Sequence, residues 1–262
     1  MQHKQQGFSG KGLLVATTIA IVWIGSLGFL SFIDIYQLSP VWILLGILGR
    51  TFIQTGLFIV AHDAIHGSIF LSNRKLNDAI GQFAVTLYAL LDYQKLTVNH
   101  WQHHRYPAQI KDPDFHEGNS FVWYLKFMKG YLDLRQIIIQ FIGLGTIFIA
   151  LHFGLHIPVV NVFLFWILPI FLSTIQLFFF GTYLPHRGID AENSHQAVSS
   201  NYPPIWSFLT CYHFGYHWEH HEYPWLAWYD LPSVRQVSLP HISATLNAPP
   251  QPCHWKGERI EK

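Results

Sequence analysis

Residues 12–33 run for 22 positions without a charged side chain. At about 1.5 Å per residue a helix of that length crosses a hydrocarbon core of about 30 Å. No small-residue cleavage site follows it, so the run is expected to remain as a membrane span rather than to be removed as a leader. Residues 41–61 form a second span, which ends directly at His62. The next apolar run, 79–91, has 13 residues and is too short to cross as an ordinary helix. The longest region lies between Arg135 and Arg187, with 51 residues free of Asp, Glu, Lys and Arg. One helix of that length would measure about 77 Å. Gly154 and Pro158 supply a break in its middle, which predicts spans at 136–153 and 159–184.

Basic residues give these spans an orientation. Lys4 and Lys11 precede the first span, and Arg74, Lys75, Lys95, Arg105, Lys111, Lys126, Lys129 and Arg135 lie between the second span and the long region. Arg187, Arg235, Lys256, Arg259 and Lys262 follow it, whereas the connections at 34–40 and 154–158 carry no Lys or Arg. By the positive-inside rule the tails and residues 62–135 are cytoplasmic, and the two short connections face the other side. Residues 79–91 must then enter and leave by the cytoplasmic side. The expected architecture is all-α and integral to the membrane, with four transmembrane helices in two hairpins and a short re-entrant or interfacial helix. A cytoplasmic helical cap at 62–135 and 185–262 completes a single domain over residues 1–262. Arg50 falls inside the second span beside Thr51, Gln54 and Thr55, so it is either part of a structural polar network or a contact of a substrate channel.

Composition narrows the class further. Half of the 262 residues are hydrophobic and only 12% are charged, about half the charged share of a soluble domain. A net charge of +1 argues against a nucleic-acid partner. The two cysteines, Cys211 and Cys253, are too far apart for a CxxC pair, which predicts neither a thiolate metal site nor a disulfide framework. Cys211 is expected to be buried and Cys253 solvated.

The 17 histidines change the picture most. Three clusters stand out: His62 and His66 in HDAIHG, His100, His103 and His104 in HWQHH, and His217, His220 and His221 in HWEHH. On a helix, positions i, i+3 and i+4 share a face, so each cluster can aim its imidazoles at one place. All three fall at the cytoplasmic ends or segments of the expected topology. Neutral imidazole suits Fe, Zn or Cu, and eight of them are too many for one ion but fit two. His186, at the inner end of the last span, is a ninth candidate. His213, four residues before His217, could share its face as a ligand or as a hydrogen-bond partner of one.

Ligating histidines usually donate their second ring N–H to a carboxylate or carbonyl. Asp63 and Asp114 suit that role by position, while Asp112 and Glu222 are expected to be solvated or capping. His152 and His156 are expected to be hydrogen-bonded packing residues, and His3, His116, His195, His241 and His254 solvated. Phe178–Phe180, Tyr183, Trp206 and Phe208 are aromatic material for an apolar tunnel, but a Phe stripe in a membrane helix more often faces lipid or the core, so none is assigned to substrate. A metal transporter would need ligands spread through its spans, whereas here they gather at one face.

The three histidine motifs with four spans resemble the integral-membrane fatty acid desaturase/hydroxylase superfamily. The text around them (TGLFIVAHDAIHG, KDPDF, FFGTYLPH and SFLTCYHFGYHWEHHEYP) resembles more narrowly its β-carotene ketolases, over about residues 50–232. That resemblance implies two non-haem iron ions held by His62, His66, His100, His103, His104, His217, His220 and His221, with His186 added, and it is compatible with His213 and Asp114. It also implies O₂ as co-substrate and two hydroxylations of the same ring carbon followed by dehydration to a ketone. The implied substrates are β-carotene and echinenone. A carotenoid hydroxylase or a fatty acid desaturase could use the same centre. No flavin or haem motif is present, so electrons are expected from a soluble donor such as ferredoxin.

Overall fold

The computed structural model describes residues 10–188 and 195–235, and these are helical with no strand among them. Lys4, Lys256, Arg259, Lys262, Cys253, His3, His241 and His254 lie outside the described residues. Four helices are long and apolar enough to cross a membrane: α1 (Lys11–Ser31), α2 (Pro40–Ile65), α6 (Leu134–Gly154) and α7 (Val159–His186). The breaks fall where the sequence places them, at Pro40, which starts α2, and between Gly154 and Val159.

Shorter helices lie between and after the spans: α3 (Arg74–Ala89), α4 (Tyr93–Arg105), α5 (Ser120–Tyr131), α8 (Pro204–Cys211) and α9 (His217–Glu222). Their starts follow from capping chemistry. The side chains of Asn73, Asp92, Asn119 and Asp133 accept hydrogen bonds from the free backbone N–H groups that open α3, α4, α5 and α6. The cap at Asn73 begins α3 five residues before the apolar run predicted for it. Leu90, in a left-handed conformation with φ of 56°, ends α3 and lets Asp92 start α4 at once.

Helix α2 is the central strut and packs against α1, α3 and α7. The Arg50 side chain is buried there and resolves as the structural network. Its Nε donates to the Phe165 carbonyl at 2.8 Å, and its Nη1 donates to the Trp23 carbonyl at 2.7 Å and to Ser26 Oγ at 2.8 Å. One turn on, Gln54 accepts from Trp23 Nε1 and donates to the Tyr88 carbonyl. Thr55 Oγ1 lies 2.8 Å from Ser173 Oγ on α7. This polar ladder ties α1, α3 and α7 to α2 inside an otherwise apolar core of Trp23, Leu57, Tyr88, Trp166, Ile170 and Tyr212. Cys211 is buried, as expected.

In contrast, the apolar window of α6 has no buried residue, and Ile138, Phe141, Ile142 and Phe153 point outward. Such a helix surface is stable only against lipid or another apolar partner. His152 bonds the Ile157 carbonyl at 2.9 Å as predicted, but His156 is exposed at φ of 54° and does not pack.

Candidate metal centre

Four elements converge at one end of the bundle. The end of α2 brings His62 and His66, α4 brings His100, His103 and His104, α7 ends on His186, and α9 carries His217, His220 and His221. All nine rings meet, and they divide into two groups. His62, His66, His100 and His220 have donor atoms within 4.8 Å of one another, and so do His103, His186, His217 and His221. His104 joins the edge of the first group, with its Nε2 at 3.1 Å from His100 Nε2 and 2.9 Å from His220 Nε2.

The division follows from helix geometry. With about 100° per residue, positions i and i+4 lie about 40° apart, while i+3 lies about 60° to the other side. The motif HxxHH therefore presents its first and last imidazoles together and its middle one elsewhere. In α4, His100 and His104 go to the first group and His103 to the second. In α9 the same spacing gives His217 and His221 to the second group and His220 to the first. The (i, i+4) pair His62 and His66 completes one group, and His186 completes the other.

Nε2 atoms face one another at 3.2 Å for His62 and His220, 2.8 Å for His66 and His100, 2.9 Å for His186 and His217, and 3.1 Å for His103 and His221. Ligands held about 2.1 Å from an ion lie about 3.0–3.4 Å apart, so this is the spacing of a coordination shell. Tautomers point the same way. His62 Nδ1 donates to Asp63 Oδ1 at 3.3 Å, His103 Nδ1 to Asp112 Oδ2 at 2.9 Å, and His186 Nδ1 to the Gln196 carbonyl at 2.7 Å. Carboxylate and carbonyl oxygens only accept, so the proton sits on Nδ1 and leaves the Nε2 lone pair bare. Bare lone pairs aimed at each other need a cation between them. The residues present fit a pair of metal ions.

Burial, with repulsion among neighbouring imidazoles, holds His66, His100, His104, His217, His220 and His221 below the ordinary imidazole pKa, in the neutral form that binds metal. His103 goes the other way. Burial pulls it down, but the charge and hydrogen bond of Asp112, with Asp114 behind, together carry it above the ordinary value.

The carboxylates are arranged differently from the sequence expectation. Asp112, expected to be solvated or capping, is buried and is the partner of His103; its oxygens also accept from the backbone N–H of Ala108 and Asp114. Asp114 lies beside them in the same three-residue cluster with His103, and it accepts from Tyr131 Oη at 2.6 Å. Burial raises the Asp114 carboxyl to about 6. Asp63 keeps the expected place beside His62, with Trp228 N–H on its second oxygen at 3.1 Å. Glu219 has no hydrogen bond to an imidazole among the described residues; it is buried against Arg235 at 2.8 Å and holds the back of α9.

Glu222 pairs with His195 at 2.7 Å, so neither is a free surface group. His213 enters neither group. It is held in a left-handed turn with φ of 63°, and its ring lies parallel to Tyr216.

A small cavity opens against both groups, lined by His62, His100, His103 and His217. Its other walls are Phe58, Ile65, Leu96, Asp114, Phe127, Tyr131, Leu177, Gly181, Thr182 and Phe214. None of the aromatics at 178–180, 183, 206 and 208 lines it, in keeping with core or surface roles: Phe178 packs on Trp123, Tyr124 and Phe127, Trp206 is exposed, and Phe208 packs on Phe52, Tyr212 and Trp228. A sequence signal for the true lining existed. Phe58, Leu96 and Thr182 each stand four residues before a site histidine (His62, His100, His186) and so share its helix face.

The fatty acid desaturase family model matches residues 37–139 and 121–249. The chain belongs to the fatty acid desaturase family. Within the family, a β-carotene ketolase from a Paracoccus species is 39% identical over 227 residues, covering 85% of this chain and 91% of the relative. A β-carotene 4-ketolase from Haematococcus lacustris is 42% identical over 197 residues, covering 71% of this chain and 60% of the relative. A zeaxanthin 4-ketolase from Chlamydomonas reinhardtii is 36% identical over 246 residues, covering 87% and 54%. The match thus spans little more than half the length of the two algal family members. No solved structure matches the chain.

Proposed function

We propose that the chain is a membrane di-iron oxygenase that converts the C4 methylene of a carotenoid β-ionone ring to a ketone. The observation that carries this reading is the pair of imidazole groups opening together on one apolar cavity, in a chain 39% identical to a Paracoccus β-carotene ketolase over most of both lengths. His62, His66, His100, His104 and His220 would hold one iron, and His103, His186, His217 and His221 the other. Bound iron would supply the oxidising power, drawing on O₂ and on two electrons per hydroxylation.

The chain's own residues set what is oxidised. Phe58, Leu96, Phe127, Leu177 and Phe214 offer an apolar wall that accepts a hydrocarbon ring and excludes water from the reacting carbon. Gly181 keeps the wall open, because a Cβ there would stand 3.1 Å from the Phe214 ring. Asp112, Asp63 and the Gln196 carbonyl hold three imidazoles in the ligating tautomer. Two hydroxylations at one carbon give a gem-diol, which loses water to leave the ketone. Applied to both rings, this takes β-carotene to echinenone and canthaxanthin.

The remaining parts of the proposal are topological. Residues 1–262 form one domain, with α1, α2, α6 and α7 crossing as two hairpins and α3 interfacial or re-entrant. The site and both termini face the cytoplasm, where a soluble donor such as ferredoxin delivers electrons. Expression in a host that accumulates β-carotene, followed by pigment chromatography, tests the reading. Echinenone and canthaxanthin are expected. Alcohols alone would make the chain a hydroxylase, and unchanged pigments with newly unsaturated fatty acids would make it a desaturase.

A further inference from the structure

We propose that Trp101, flanked by Arg105 and Lys111, is where an acidic one-electron carrier protein docks and passes its electron inward. The proposal rests on the di-metal redox reading and adds the place of contact. Trp101 is 42% exposed, yet its ring lies 5.1 Å from His66 and 5.7 Å from His104, edge-on or tilted to both. It thus joins solvent to two imidazoles of the first group through a single aromatic side chain. His195, whose ring is 6.0 Å from His221, also comes near the site, but Glu222 sits on it and presents the sign that repels an acidic protein.

The surroundings of Trp101 carry the opposite sign. Val98 precedes it by three residues and Arg105 follows by four, so all three share the outer face of α4. Gln102 donates to the Lys111 carbonyl at 2.6 Å, which lays the following loop beside α4, and the Lys111 ammonium stands 5.4 Å over the Tyr106 ring. Arg105, Lys111 and Ile110 are exposed, whereas Asp112 and Asp114 of the same loop turn inward to the histidines. Glu117, further along, is the exposed carboxylate of that loop. Among the described residues Arg105 has no ion-pair partner. An apolar centre of Val98, Trp101 and Ile110 with a cationic rim has the character of a small, transient redox interface. In each encounter the carrier loses one electron and the metal centre gains one, so two encounters supply one hydroxylation.

The test uses the full iron-loaded chain in lipid nanodiscs, with reduced plant-type [2Fe–2S] ferredoxin as probe and reduced methyl viologen as a small mediator that needs no docking. The double variant Arg105→Glu, Lys111→Glu is expected to bind ferredoxin about tenfold or more weakly at low salt, with the difference shrinking as ionic strength rises. Trp101→Leu is expected to slow ferredoxin reoxidation about tenfold more than it slows reduction by methyl viologen, and Trp101→Phe to recover most of that loss. Unchanged ferredoxin binding in the charge-reversed variant overturns the docking site whatever metal the chain holds. An equal effect of Trp101→Leu on both reductants overturns the electron path. Failure of methyl viologen to reduce the wild-type centre would instead count against the redox reading, and the binding measurement still decides the docking site.

Discussion

At the residue scale, Asp112 does the most with the least sequence signal. It accepts from His103 Nδ1 and from two backbone amides, so it fixes both the tautomer of His103 and the loop that follows α4. Asp112→Asn keeps the shape but can turn its amide N–H toward His103, which favours the wrong ring proton. The expected result is metal affinity about 10–100-fold weaker in chelator competition, with the helical content unchanged. Affinity equal to the wild type would show that His103 is oriented by something else. Spacing in KDPDF could not tell Asp112 from Asp114, because which carboxylate reaches His103 depends on how the loop closes over α4. His186 was readable from its place at a span end, but its Gln196 partner stands ten residues on, a pairing that no local pattern encodes.

At the scale of elements, each histidine motif is legible because helix periodicity alone decides where its rings point. The split of HxxHH between two groups needs only the 3.6-residue turn. The start of α3 was less legible: the apolar run 79–91 marks its buried stretch, while the cap at Asn73 fixes its true beginning. The packing of α3 on α2 turns on Gly81, where a Cβ would stand 2.5 Å from the Tyr93 ring and 2.7 Å from Ala64 Cβ. Gly81→Val should therefore lower stability by about 1–3 kcal/mol, read as a fall in the melting temperature of the detergent-solubilised protein. At Gly49 a Cβ meets nothing within 4 Å, and Gly49→Ala is the control expected to leave the midpoint unchanged or slightly raised. Equal losses at both positions would mean that close approach of the two helices is not what Gly81 provides.

For the whole molecule, hydropathy gave four long apolar helices that the structure reproduces within a few residues, because length and apolarity act locally. The cavity was not legible in the same way. Its walls come from α2, α4 and the loop after it, α5, α7, the turn at Phe214 and α9, and their meeting is a property of the packed bundle. Orientation can be measured directly. In a variant without Cys211 and Cys253, Tyr36→Cys and Gln109→Cys should react with a membrane-impermeant maleimide from opposite sides, with Gln109→Cys labelled from the cytoplasm. Labelling of both from one side would remove the four-span topology.

Two groups of imidazoles imply two ions, and the count can be made without any assay of turnover. Iron per chain, measured on protein purified in lipid nanodiscs after growth with ample iron, should be about two. His220→Ala, which opens the first group, and His221→Ala, which opens the second, should each reduce it toward one. A wild-type chain that holds a single ion, or variants that lose nothing, would contradict the account.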